Sequence, residues 1–296
     1  MKLLVTGAGG LVGISLATHC QIVGDDVLAH SHQALDITDK ESVFRTVAKE
    51  QFEVVINCAA WTDVDGCEFD PKRAFLVNAE GPENLALACN EFGATFVTIS
   101  TDYVFDGSKE GFYTQQDEPN PLSIYGRSKL EGEQRALNAN VETVVARTGF
   151  VFGVSGRNFL STVIKRAQSG ETLKTITDAR GTPTHASDLA ARLREFALIK
   201  ARGIFHVVNS GPGASYEDFV RLALEIAGLD ETKVEPVSVA SLDRPAPRPR
   251  NSSLKCLRTE SYGLEPLRDW ETAVRSFVAE EMERHTLAGG VVPVRG

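Results

Sequence analysis

The chain has 296 residues, 42% hydrophobic and 24% charged, enough material for one large domain or two coupled ones. Its 31 Lys and Arg stand against 40 Asp and Glu, a formal charge of −9 that excludes the basic footprint a nucleic-acid partner requires. No apolar stretch approaches the roughly 18 residues that span a bilayer, and the first residues form no signal-peptide core, so a cytoplasmic protein without a membrane partner is expected.

The N-terminal half alternates short β-branched runs with helix-length amphipathic stretches. Strands are predicted at Lys2–Thr6, 26–29, Val54–Asn57 and 95–100, with a further one at 141–147. Helices are predicted at 42–51, 71–78 and Gly81–Phe92, the last with Pro82 in a permitted first-turn position. This alternation implies βαβ units and a parallel sheet. After about residue 150 the rhythm changes, and helical stretches at 158–169, 187–199 and 216–227 are joined by Gly- and Pro-containing loops. The run Arg244-Pro245-Ala246-Pro247-Arg248-Pro249-Arg250 is too Pro-rich for a helix or central strand and reads as a linker or a binding loop. Residues 287–296 read as a frayed end. The five cysteines, Cys20, Cys58, Cys67, Cys89 and Cys256, lack paired spacing and read as reduced thiols, with neither a disulfide framework nor a zinc site.

Gly7-Ala8-Gly9-Gly10-Leu11-Val12-Gly13 follows the first strand and opens a helix. Gly7 suits the tight turn, Gly10 a close approach of backbone to a pyrophosphate, and Gly13 close helix–sheet packing, as in a dinucleotide site. The second strand ends in His30-Ser31-His32, without the acid that binds a ribose 2′-hydroxyl, so NADPH is favoured and NADH is the second candidate. Within Leu35-Asp36-Ile37-Thr38-Asp39, Asp39 caps the next helix or, alternatively, Asp36 and Ile37 touch an adenine. Asn57-Cys58-Ala59-Ala60 ends a strand in small residues that let backbone lie against the cofactor.

Tyr125 and Lys129 are four apart, on one face of a helix. An ammonium beside a phenol favours phenolate and brings its pKa toward the range useful for proton transfer. Upstream, Ser100-Thr101-Asp102-Tyr103-Val104-Phe105-Asp106-Gly107 puts hydroxyls at a strand's carboxyl end, where Thr101 can hydrogen-bond a carbonyl oxygen as charge develops. His185 and His206 read as packing histidines, and Trp61 as a packing residue or a border of the site.

With glycine loop, hydroxyl strand end and Tyr-x-x-x-Lys in this order, the chain resembles the extended short-chain dehydrogenase/reductases, and within them the dTDP-4-dehydrorhamnose reductase family. Matching segments include Asn57 to Glu68, Pro121 to Glu133, Arg147 to Gly153, Gly181-Thr182-Pro183-Thr184, Arg248 to Leu254 and Trp270. The resemblance implies an α/β fold, a Rossmann-type doubly wound parallel sheet with a smaller mixed α/β C-terminal substrate lobe. The NAD(P)-binding domain would span 1–150, completed by part of 178–208, and the substrate lobe 151–177 and 209–296. It also implies NADPH-dependent reduction of the 4-keto group of a nucleotide-linked 6-deoxyhexose in dTDP-L-rhamnose synthesis. Thr101, Tyr125 and Lys129 would be the catalytic trio.

The cofactor would touch Gly7, Gly10, Leu11, Val12, Gly13, His30, Ser31, Asp36, Ile37, Ala59, Ala60, Thr62, Asn78, Tyr125 and Lys129. The sugar nucleotide would meet Thr101, Asp102, Tyr103, Phe150 and Arg248. Two departures stand out: Phe150 occupies a position usually held by tryptophan, and Ser15 stands where some members carry a metal-binding glutamate. No metal is therefore expected, while a homodimer is left open. Two alternatives remain: another NDP-4-ketosugar reductase, and a non-catalytic subunit like the β subunit of methionine adenosyltransferase.

Overall fold

The computed structural model describes residues 1–156 and 158–289. The chain runs β1 (Lys2–Thr6), α1 (Leu11–Ile22), β2 (Asp26–His30), α2 (Lys40–Glu50), β3 (Val54–Asn57), α3 (Val64–Phe69) and α4 (Pro71–Phe75). A π-helical turn, Leu76–Glu80, leads directly into α5 (Gly81–Phe92), and β4 (Thr95–Thr101), α6 (Ile124–Ala139) and β5 (Val144–Thr148) follow. Next come β6 (Val151–Phe152), α7 (Phe159–Gln168), β7 (Leu173–Ile176), β8 (Arg180–Gly181), β9 (Thr184–His185), α8 (Ala186–Leu198) and β10 (Gly203–His206). The chain closes with β11 (Ala214–Ser215), α9 (Tyr216–Ile226), β12 (Val234–Val237) and α10 (Trp270–Gly289).

Six parallel strands form one sheet in the order β10-β5-β4-β3-β1-β2, with helices on both faces. This is a doubly wound α/β fold. The inner strands β3 and β5 are buried at every residue, as expected of strands covered on both faces. Strand order reverses between β1 and β3, and ligands bind such sheets outside the carboxyl ends at that crevice. The glycine loop, Asn57 and Thr101 all lie at those ends.

A second body packs at the same end. It holds three two-stranded pairings, β12–β7, β11–β8 and β6–β9, around a core of Phe152, Leu160, Phe219, Trp270 and Phe277. Helix α10 buries Ala273, Val274, Phe277 and Val278, the 3–4 spacing of one helical face. Residues of α8 and β10 return to the large sheet: β10 pairs with β5, and Leu189, Leu193 and Phe196 join the core beneath β1 and β3.

Several predicted bounds shift for identifiable reasons. The strand expected from residue 141 begins at Val144, because the Asn140 side chain and carbonyl accept from Glu142 N and Thr143 N and hold a turn there. Asp39 does cap its helix, accepting from Ser42 N at 3.2 Å, and α2 begins at Lys40. The helix expected over 71–78 is α only to Phe75 and then widens into the π turn. Sequence periodicity did not mark α3 or α10. The segment expected to fray from 287 stays helical to Gly289, and its remainder, 290–296, lies outside the described residues. No helix among the described residues is long and apolar enough to cross a membrane.

Helix α6 lies tight against the π turn because Gly132 faces the Asn78 carbonyl with no Cβ between them. Gly132→Ala would drive a methyl into that backbone. We expect a loss of about 1–3 kcal/mol, the usual cost of overpacking, read as a lowered urea midpoint with an unchanged slope.

Candidate active site

Gly7 has φ +66, and a Cβ there would meet Cys58 C at 2.5 Å; a Cβ on Gly13 would collide with the Gly7 carbonyl. Both positions need glycine for packing. Gly10 is the N-cap of α1 without a side-chain cap, and the first turn of the helix carries no acid. Ile14 N makes the first i→i−4 bond, to Gly10 O, so the N–H groups of Leu11, Val12 and Gly13 precede the helical ladder. These residues line a cavity of about 460 Å³ together with Ala59, Ala60 and Thr62. An uncapped, acid-free helix start behind a glycine turn fits a pyrophosphate.

Tyr125, Lys129, Thr101, Asp102, Tyr103 and Phe150 line the same cavity. Ser123 caps α6 by accepting from Gly126 N at 3.1 Å, which fixes the helix start and the Tyr125–Lys129 face. Thr101 Oγ1 accepts from Tyr103 N at 3.2 Å and donates to Asp102 Oδ1 at 3.1 Å. Lys129 Nζ donates to the Ile99 carbonyl at 2.8 Å, and burial brings its pKa down to about 8 against the pull of Glu133. Burial likewise holds the Tyr125 phenol well above its ordinary value, with the Thr101 hydroxyl pulling the other way. The net shift is upward, not the lowering expected from a neighbouring ammonium: desolvation is the largest effect, and Asp102 and Tyr103 push the same way. Asp102 is buried, Oδ2 has no partner, and burial pushes its pKa up to about 6.

Beyond the glycine loop, His30 ends β2 with its carbonyl accepting from Ala8 N at 3.0 Å, and its Nδ1 is buried without a partner. Ser31 Cβ lies 3.8 Å from where a Cβ on Gly9 would stand, so Ser31 borders the loop. Asp36 Oδ1 accepts from Thr38 N and Oγ1 at 2.9 and 2.8 Å. Two expected contact residues have their side chains engaged within the protein. The Ile37 side chain is core, packed on Gly81, which leaves its backbone rather than its side chain for a cofactor. Asn78 is spent on the protein: it accepts from Trp61 N at 2.8 Å and donates to Trp61 O and Ser128 Oγ at 3.0 and 3.1 Å. It steadies the loop that carries Thr62, with both amide hydrogens engaged within the protein.

A second cavity, of about 320 Å³, shares Tyr103, Phe150 and Tyr216 with the first. Phe150 sits at φ +46 and its ring lies 4.4 Å from that of Tyr216, so the two aromatics form the partition. Lys174, Arg180, Arg244 and Arg248 give this chamber cationic walls, and Ile176, Val237, Val239 and Leu242 give it an apolar side. The Pro-rich run is therefore a chamber wall. Arg248 Nη1 and Nη2 donate to Asp65 Oδ1 and Oδ2 at 2.9 and 2.8 Å, and Ala246 N donates to Oδ1 at 3.1 Å, clasping the run to α3.

Sequence reading missed Asp65, Tyr216, Glu133 and Arg147. The last two form a buried pair, with Arg147 Nε and Nη2 donating to Glu133 at 2.9 and 2.6 Å and Ser100 Oγ donating at 2.5 Å. One signal was present: Tyr125, Lys129 and Glu133 recur every four residues along α6. His206, read as a packing histidine, has Nδ1 at 3.2 and 3.1 Å from the Tyr113 and Lys255 carbonyls, and burial lowers its pKa to about 3. His185 packs edge-on to Phe152. Trp61 packs beside Tyr125, with the Arg73 guanidinium 4.5 Å from its ring centre.

A glycine-turned helix start and a Tyr-x-x-x-Lys helix at the carboxyl edge of a doubly wound sheet define an extended short-chain dehydrogenase/reductase. The family model of the RmlD substrate binding domain matches residues 1–283, and the chain belongs to that family. A dTDP-4-dehydrorhamnose reductase of Mycolicibacterium smegmatis is 41% identical over 281 residues, 94% of this chain and 85% of the relative. The crystal structure of a dTDP-4-dehydrorhamnose reductase from Clostridium acetobutylicum superposes with TM-score 0.91 at 36% identity, covering 95% of this chain and 100% of that one. One from Bacillus anthracis, in complex with NADP, gives TM-score 0.91 at 31% identity over the same shares.

Asp102 makes a pH prediction. Its folded pKa lies above the unfolded value of about 3.9, so folding pays nothing for it below pH 4 and carries a growing penalty as pH rises through about 6. Between pH 4 and pH 7, Asp102→Asn should gain about 2–3 kcal/mol relative to wild type. Paired denaturant titrations at the two pH values measure it, and parallel curves would contradict the raised pKa.

Proposed function

We propose that this chain is an NADPH-dependent reductase of the 4-keto group of a nucleotide-linked 6-deoxyhexose, acting on dTDP-4-dehydro-L-rhamnose to give dTDP-L-rhamnose. The observation that carries the reading is the meeting of two chambers at Tyr103, Phe150 and Tyr216, with Tyr125 and Thr101 lining the first. One chamber opens on the α1 N-terminus and the other is walled by arginines and aromatics. A dinucleotide suits the first and a sugar nucleotide the second. Residues 1–150 with part of 178–208 serve the cofactor, and 151–177 with 209–296 serve the substrate.

Gly10, Leu11, Val12 and Gly13 would hold the pyrophosphate through backbone N–H groups. His30 and Ser31 would meet the adenosine ribose, where β2 ends without an acid to repel a 2′-phosphate. Bound NADPH supplies the hydride that adds to the ketone carbon. Thr101 Oγ donates to the ketone oxygen as negative charge grows on it. Tyr125 Oη delivers the proton that completes the alcohol, and a phenol kept protonated by burial is suited to that direction of transfer. Lys129, charged at the cavity floor, stabilises the phenolate left behind and contacts the nicotinamide ribose. Arg248, Arg244 and Arg180 meet the diphosphate of the substrate, and Asp102, Tyr103 and Phe150 meet the sugar. All five cysteines are unpaired, which supports the cytoplasmic setting.

The test is oxidation of NADPH in the presence of dTDP-4-dehydro-L-rhamnose generated in situ. No absorbance loss would sink the proposal, while a product other than dTDP-L-rhamnose would favour another NDP-4-ketosugar reductase, the reading that Phe150 keeps in view. Tyr125→Phe should lower kcat by about 10²–10⁴-fold with the Kd for NADPH within about twofold of wild type, since only the proton donor is removed. Retained turnover would assign proton delivery to another group.

A further inference from the structure

Lys129 ends in a buried amine, and what keeps such an amine charged is a structural question. Its Nζ donates to Ile99 O at 2.8 Å, on the strand residue next to Ser100. One helical turn further along α6, Glu133 is buried and takes every donor within reach: Ser100 Oγ at 2.5 Å, and Arg147 Nε and Nη2 at 2.9 and 2.6 Å. Arg147 is itself buried, its guanidinium 5.3 Å from the centre of the Phe105 ring. A buried carboxylate one helical turn from a buried amine favours the charged amine, and the Arg147 cation bound to that carboxylate holds it in place. Groups that line the cavity together with Lys129 include Tyr125 on α6, Thr101 and Asp102 at the end of β4, and Cys58 after β3.

We propose that Glu133, clamped by Ser100 and Arg147, is a positioning residue that keeps the Lys129 side chain charged and seated at the floor of the cavity. The proposal rests on the reductase reading, in which the ammonium form of Lys129 serves catalysis. Glu133 lines neither cavity. It acts through Lys129, at i+4, while Arg147 and Ser100 prevent the carboxylate from turning away. Burial depresses the Lys129 pKa to about 8, and Glu133 is the largest effect opposing that fall. With the carboxylate gone, the amine would lose its proton at lower pH, and activity that needs the ammonium would fall earlier as pH rises.

Two readouts test this on wild type, Glu133→Gln and Glu133→Gln/Arg147→Met. The first is competitive acetylation across pH, followed by mass spectrometry of the Lys129 peptide, which reads the amine's titration without turnover. The second is the pH dependence of NADPH oxidation with dTDP-4-dehydro-L-rhamnose. Glu133→Gln should move the labelling midpoint and the alkaline limb of kcat to lower pH by about one unit or more. The double variant removes both charges and should fall between the other two. It also carries the test if Glu133→Gln, which strands the Arg147 cation, fails to fold. A labelling midpoint in the double variant, or in folded Glu133→Gln, equal to or above that of wild type would overturn the proposal. Absence of turnover in wild type with the midpoints still ordered would instead reject the substrate reading and leave the Glu133 assignment standing.

Discussion

The structure depends on how closely one helix, α6, can approach its neighbours. Its Gly126 faces the Tyr103 carbonyl and its Gly132 the Asn78 carbonyl, each with no room for a Cβ. These two absences set the depth at which Tyr125, Lys129 and Glu133 enter the molecule. A helix displaced outward by one methyl group would lift all three together. The glycine loop obeys the same constraint, with Gly7 against Cys58 and Ala59 and Gly13 against the loop itself. Chemistry at this site is positioned by missing side chains as much as by those present.

Burial then decides the electrostatics. Tyr125, Lys129, Asp102, Glu133 and Arg147 are all nine-tenths or more removed from solvent. In that setting desolvation disfavours charge on the phenol and on Asp102, and a charged group persists only where another charge or a set of hydrogen bonds compensates it. Glu133 and Arg147 are so compensated, and Asp102 is only half so, with one oxygen bound to Thr101 and the other bare. At neutral pH the cavity floor therefore holds one carboxylate whose charge burial disfavours, one neutral phenol and one cation, beside a closed ion pair.

Much of this was legible in the sequence where the signal is local. The strand-loop-helix of Lys2 to Gly13, the Asp39 cap and the four-residue spacing of Tyr125 and Lys129 are each set by residues within a turn of one another. What was missed is long-range. Asp65 meets Arg248 across 183 positions, and Tyr216 at the start of α9 meets Phe150, between β5 and β6, only through the tertiary fold. Ile37 and Asn78 were expected at the cofactor from their proximity to motifs, and spacing did not show that packing holds one side chain and hydrogen bonds the other. The expected lowering of the Tyr125 pKa failed for a related reason: spacing shows that a lysine is near, but not how little water reaches the pair.

The Phe150–Tyr216 partition has a consequence for how this fold could diversify. Both rings, with Tyr103, face two chambers at once, so a substitution there alters the walls for two ligands together and has to satisfy both. Ile176, Val239 and Leu242 line the cationic chamber alone. Change in the sugar nucleotide accepted can accumulate at those positions without disturbing the cofactor, whereas the shared aromatics form a hinge of constraint on which neither specificity can drift independently.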